Sequence, residues 1–157
     1  MRLVVSCDGA ARGNPGPAGI GAVVTDVDGE VLAEVAEGIG VATNNVAEYK
    51  AAIAGLTKAR ELGATEVQLR SDSRLLIEQL AGRFRVKNPT LQVLHREARA
   101  LLTGFRTHRL QHVPRERNKE ADRLANQGVD GWLAGEGVGY EPPGPPAKLF
   151  EVPEEGR

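Results

Sequence analysis

Arg2-Leu3-Val4-Val5-Ser6-Cys7-Asp8, followed by Gly9-Ala10-Ala11-Arg12-Gly13-Asn14-Pro15-Gly16-Pro17-Ala18 and then Gly19-Ile20-Gly21-Ala22-Val23-Val24-Thr25-Asp26-Val27, is the stretch that decides the fold. Leu3, Val4, Val5 and Cys7 make residues 2–8 an apolar, strand-favouring run. Residues 9–18 are dense in Gly and Pro and read as a loop. Val23, Val24 and Val27 mark residues 19–27 as a second strand. Asp28-Gly29 is a hairpin signal, and residues 31–39 read as a third strand. Three strands in immediate succession predict an antiparallel meander.

The period then changes. Val46, Tyr49, Ile53, Leu56 and Arg60 recur at steps of three and four, predicting a helix over 45–62 with one buried face. Thr43, Asn44 or Asn45 can cap its start, and Gly63 stops it. Residues 65–71 read as a fourth strand, with Val67 and Leu69 on one side. Leu75, Leu76, Ile77 and Leu80 predict a short helix over 73–82. Asn88-Pro89 opens a longer helix to about residue 103, since Pro is favourable in a first helical turn. Residues 105–113 read as a fifth strand, and Asn118 is expected to cap a last helix through about 133. Ala121, Leu124, Ala125 and Trp132 are its candidate core residues. The order predicts an α/β domain, a mixed sheet flanked by helices, over residues 1–134. Residues 135–157, with the run Pro142-Pro143-Gly144-Pro145-Pro146, are expected to be a tail or linker.

At 157 residues, 26% charged and 41% hydrophobic, the chain fits one soluble domain with a real core. Nothing approaches the roughly 20 apolar residues of a membrane span, so no membrane partner is expected. Asp8 interrupts the apolar run too early for a signal peptide. The single cysteine, Cys7, excludes an internal disulfide and a cysteine zinc cluster, and suits a reducing, cytoplasmic setting. Cys7 reads as a small core residue. Gly38-Ile39-Gly40 lacks the third glycine of a dinucleotide loop.

The net charge of −1 argues at first against nucleic acid. It conceals an uneven distribution. Residues 83–123 hold 11 basic and 4 acidic side chains, between two segments that are each net acidic. A basic block of this kind is the footprint of a phosphate-backbone binder, although an Arg-rich solvated helix face would look the same.

Four carboxylates stand at special positions: Asp8 at the end of the first strand, Glu48 in the first turn of the first helix, Asp72 after the fourth strand, and Asp122 at the start of the last helix. If the first and fourth strands are parallel neighbours, Asp8 and Asp72 lie side by side. Two carboxylates that close repel unless a cation or shared proton relieves them. An oxygen-only site suits magnesium or manganese, and two ions roughly 4 Å apart suit in-line cleavage of a phosphodiester. Singly, each acid is as well explained as a turn residue or a complement to a helix dipole.

Four stretches together resemble the ribonuclease HI family. Asp8-Gly9-Ala10-Ala11-Arg12-Gly13-Asn14-Pro15-Gly16-Pro17-Ala18-Gly19 resembles its opening motif, and Thr43-Asn44-Asn45-Val46-Ala47-Glu48-Tyr49 its second. Ser71-Asp72-Ser73 resembles the third, and Asn118-Lys119-Glu120-Ala121-Asp122-Arg123-Leu124-Ala125 the fourth. They occur in family order and cover about residues 1–130. The resemblance implies a ribonuclease H-like fold, a five-stranded mixed sheet with the first three strands antiparallel and strands one, four and five parallel. It implies cleavage of the RNA strand of RNA–DNA hybrids by a two-metal-ion mechanism. Two Mg2+ ions are expected, with Mn2+ as a substitute, and products with 5′-phosphate and 3′-hydroxyl ends. Asp8 would bridge both metals, Glu48 and Asp72 would serve the leaving-group side, and Asp122 the side of the attacking water. Asn14, Asn44 and Asn45 would read the minor groove, where short amides meet 2′-hydroxyls and base edges. Thr43 would contact a DNA-strand phosphate. Gly9 and Gly13 would allow close backbone approach to substrate.

The chain also departs from the family pattern. His112 stands at the sequence distance of a loop histidine that assists product release in many members, yet it reads as a strand residue. Arg115, in Val113-Pro114-Arg115-Glu116, is expected to take the auxiliary role. The extra basic helix that grips the hybrid in some members has no room between Asp72 and Asn88. Arg83, Arg85 and Lys87 are either a smaller substitute or simply solvated. Members without that insertion sometimes cut double-stranded RNA, which leaves it open as a second substrate. The first strand begins at residue 2, so no N-terminal hybrid-binding domain is expected. A monomer is expected, and the tail fits a linker to the C-terminal phosphatase domain found in some bacterial members. Two other classes compete: a silent hybrid-binding module, against which all four carboxylates argue, and a DNA nuclease of the same fold, against which the paired asparagines argue.

Overall fold

The computed structural model describes residues 1–135. The expectation of a tail or linker at 135–157 falls, beyond Gly135, outside the described residues. The elements are β1 (Arg2–Ala11), β2 (Gly16–Thr25), β3 (Val31–Ala42), α1 (Asn44–Glu61), β4 (Glu66–Ser71), α2 (Arg74–Leu80), α3 (Pro89–Gly104), β5 (Thr107–His112) and α4 (Lys119–Ala134), with a 3-10 turn at Arg115–Arg117 before α4. They form a five-stranded sheet in the order β3-β2-β1-β4-β5. β1–β2 and β2–β3 are antiparallel, and β1–β4 and β4–β5 are parallel. This is the mixed sheet the resemblance implies.

The main correction concerns the first connection. Residues 9–11 and 16–18, read as loop, are strand: Gly9 pairs with Ile20, Ala10 with Gly19 and Ala11 with Ala18. Farther along β2, Gly19 and Gly21 make room for packing. A Cβ on Gly21 would strike the carbonyl oxygen of Ala121, and one on Gly19 that of Ala125. The absence of a side chain at both positions lets α4 lie directly on β2. The true connection is residues 12–15, with a cis peptide at Asn14–Pro15.

The helices cover both sheet faces. Leu3, Val5, Cys7, Ala22, Val24 and Leu69 point into the main core with Tyr49 and Leu56 of α1 and Leu91 and Leu102 of α3. α4 crosses the other face of β1, β2 and β3. Within α1 the inward stripe is small: Ala47, Ala51, Ala52, Gly55 and Ala59 are buried. Arg60, expected on that stripe, is exposed, and Ala59 takes the inward place. Trp132 is half-buried, at the far end of α4 over Gly38. A single short helix, α2, lies between Asp72 and Asn88, so the basic insertion is absent from this segment. Among the described residues no helix is long and apolar enough to cross a membrane.

Candidate active site

The last β1–β4 partners are Cys7 and Ser71. The next residue on each strand is therefore an aspartate, and parallel pairing delivers Asp8 and Asp72 side by side. Glu48 reaches them from α1. It lies five residues into the helix, in the second turn rather than the first. Gly9 fixes its approach, because a Cβ there would collide with the Ala47–Glu48 backbone. The Gly9 amide donates to Glu48 Oε1 at 2.6 Å. Gly9 thus makes room for α1, and it also lines the cleft. Oxygen atoms of Asp8, Glu48 and Asp72 lie within 4.8 Å of one another. Asp122, in the first turn of α4, places its carboxyl within hydrogen-bonding reach of Asp8.

These acids line a cleft of about 560 Å³, with Gly9, Arg12, Asn44, Asn45, Ser73, Arg115 and Asn126 also on its wall. Asp8 is 6% exposed and Glu48 8%. Burial, then the charge of Glu48, pushes the Asp8 carboxyl up to about 10. Burial raises Glu48 to about 7, against the bonds from Asp8 and the Gly9 amide that favour its charged form. Glu48 Oε2 is buried without a hydrogen-bond partner. A buried carboxylate oxygen is costly to leave unpaired. A hard divalent cation held by Asp8, Glu48 and Asp72 would satisfy it, so this all-oxygen donor set fits magnesium or manganese.

The remaining expected residues divide. Thr43 is buried and its hydroxyl caps α1 by accepting from the Val46 amide at 3.3 Å. Asn14 Oδ1 accepts from the Asn44 amide at 3.0 Å, and Asn44 Oδ1 accepts from the Ala11 amide at 3.1 Å. The asparagines therefore tie the β1–β2 connection to the start of α1. Asn44 and Asn45 line the cleft; Asn14 and Thr43 are not among its lining residues. Gly13 has φ +102°, a left-handed conformation that suits glycine. His112 closes β5, with Nε2 3.2 Å from the Asp72 carbonyl oxygen, and does not line the cleft, whereas Arg115 does. Arg83 forks onto Glu78, both bonds 2.8 Å, which offsets its charge at the surface.

Asn118 holds the N-cap position of α4 but makes no capping bond. Its Nδ2 donates instead to the Cys7 carbonyl at 2.9 Å, in a buried contact that seats the helix beside Asp8. Burial pushes the Cys7 thiol up, as for a core residue. Arg12, Ser73 and Asn126 belong to the cleft and were not singled out from the sequence. Asn126 could have been, since it follows Asp122 by one helical turn.

A family model described as "Reverse transcriptase-like" matches residues 6–128. The chain is 48% identical over 123 residues to the Ribonuclease HI of Halobacterium salinarum, a match covering 78% of this chain and 62% of that protein. The chain belongs to the ribonuclease H-like family. It is 53% identical over 131 residues to the Bifunctional protein Rv2228c of Mycobacterium tuberculosis, covering 83% of this chain but only 36% of that protein. The match is thus to about a third of that relative's length. The solved N-terminal RNase H domain of Rv2228c superposes with a TM-score of 0.81, over 83% of this chain and 100% of that one. LC11-RNase H1, isolated from compost by a metagenomic approach and solved in complex with an RNA/DNA hybrid, gives a TM-score of 0.79 at 40% identity, over 83% of this chain and 99% of that one. These ribonuclease H relatives make the chain a member of a family of hydrolytic enzymes.

Proposed function

We propose that the chain is an endonuclease that hydrolyses the RNA strand of RNA–DNA hybrids by a two-metal-ion mechanism, leaving 5′-phosphate and 3′-hydroxyl ends. The observation that carries this is the convergence of Asp8, Glu48, Asp72 and Asp122 in one cleft, with an unpartnered buried oxygen on Glu48. Asp8 stands centrally and would touch both ions. Glu48 and Asp72 would hold the one near the leaving group, and Asp122 the one near the attacking water. When bound, Mg2+, or Mn2+ in its place, would supply Lewis-acid stabilisation of phosphoryl charge and lower the pKa of a water. Arg115 would meet the charge of the scissile phosphate from the cleft wall. Asn44 has its amide oxygen engaged by Ala11, so its NH2 is the end with hydrogens to offer a minor-groove acceptor. Asn14 and Asn45 would complete that contact, and Thr43 would stand by a DNA-strand phosphate. The hybrid bound by LC11-RNase H1 supports this substrate class.

A monomer in a reducing, cytoplasmic compartment suits the one buried cysteine.

The decisive experiment is a panel of end-labelled RNA–DNA, RNA–RNA and DNA–DNA duplexes with Mg2+ or Mn2+. Cleavage of the RNA strand of the hybrid, lost in Asp72→Asn, is expected. Enzymatic ligation of the products reads their ends. Binding without cleavage would mark a silent hybrid-binding module, and cutting of the DNA duplex would mark a DNA nuclease.

A further inference from the structure

Asp122 is the one acid of the four that lies outside the tight triad, on a different helix and on the opposite sheet face from Glu48. Something must fix its carboxylate relative to Asp8. One turn along α4, Asn126 Nδ2 lies 3.0 Å from the Asp122 carbonyl oxygen and 3.4 Å from Asp122 Oδ1. The amide of Asn126 is itself held from the other side. Arg12, just after β1, donates from Nη2 to Asn126 Oδ1 at 3.3 Å and to the Asn126 carbonyl at 3.4 Å. Its Nη1 is anchored on Asp130 at 2.7 Å.

We infer that Arg12 is a positioning residue for the reaction, acting through Asn126 to orient the Asp122 carboxylate. The guanidinium draws on the amide oxygen while the amide nitrogen donates to the carboxylate, so each bond polarises the next. With one oxygen so engaged, rotation of the carboxyl group is opposed. A stabilising role does not account for the arrangement. The Arg12 and Asp130 side chains are 41% and 67% exposed, and an ion pair that open contributes little to folding. Both Arg12 and Asn126 nevertheless line the cleft. The inference rests on the proposed role of Asp122 as a metal-holding residue.

The test is a double-mutant cycle of Arg12→Ala and Asn126→Ala, with Asp122→Asn alongside. Loss of a residue that orients a metal-holding group costs about 10- to 100-fold in activity or metal affinity. Each single variant is expected to lose that much kcat with KM nearly unchanged, and the double variant no more than the worse single. A second readout needs no turnover. The Mn2+ concentration that half-saturates thermal stabilisation should rise in both variants, while the metal-free melting temperature stays close to wild type. Additive losses, or a raised KM with intact kcat, would mean that Arg12 grips the substrate directly and would overturn the inference. So would unchanged kinetics in either single variant. If Asp122→Asn cleaves normally, the reading of Asp122 itself fails. If Asp122→Asn is inactive and Arg12→Ala is not, the positioning role alone fails.

Discussion

Asp8 and Glu48 carry the physical signature of the site. Each is buried, each has its carboxyl raised, and Glu48 keeps an oxygen without a partner. The unfolded chain ionises such groups near pH 4. Above that pH the unfolded Asp8 has released a proton that the folded Asp8 retains until about pH 10. Metal-free stability therefore falls as pH rises through this window. A cation reverses the penalty by binding the charged form, so stabilisation by Mg2+ or Mn2+ should be slight near pH 5 and larger near pH 8. Differential scanning fluorimetry at the two pH values checks the sign. For the same reason Asp8→Asn should abolish cleavage yet stabilise the metal-free protein by about 0.5–2 kcal/mol, since active-site strain is commonly exchanged for stability; urea denaturation measures it. The carboxylates were legible as single residues because each sits in its own local motif. Their mutual distances and raised pKa values belong to no single motif.

At the level of elements, the sequence marks where strands and helices exist more reliably than where they end. Gly9 and Gly16 look like loop residues because glycine is the usual turn former, yet they lie in β1 and β2. The structure uses Gly19 and Gly21 to let α4 descend onto β2. That reason is tertiary and leaves no local trace. Asn118 is a similar case: its position before α4 was legible, but its bond goes to Cys7 on another element. Asn118→Ala removes a donor from a buried carbonyl and should cost about 1–3 kcal/mol, read from the shift in the denaturation midpoint. Cleavage should fall with it, because the same bond seats the helix that carries Asp122 beside Asp8.

Across the whole molecule, net charge of −1 says little about the partner. Folding sorts the basic residues. Arg83 and Arg123 are drawn into ion pairs with Glu78, Glu120 and Glu34, and Arg99 onto the Leu80 carbonyl. Arg115 is the member of the basic block that lines the cleft. Arg115→Ala should therefore weaken hybrid binding at every sequence and lower the slope of log affinity against log salt by about one. His112→Ala, at the strand end and outside the cleft, should leave that slope unchanged. Fluorescence anisotropy of a labelled hybrid at several salt concentrations separates them, and a larger turnover loss in His112→Ala would return the auxiliary role to the histidine.

The sequence by itself determined the element order, the mixed sheet, the four acidic positions and the family they resemble, because local periodicity and short motifs are written along one continuous stretch. Tertiary structure alone decided which glycines make room for a helix, which arginines are ion-paired and which line the cleft, and that Arg12 reaches Asn126 across more than a hundred residues of chain. Those facts depend on distances between elements, and such distances are set only when parallel pairing of β1 with β4 and the descent of α4 onto β2 bring the separate pieces together.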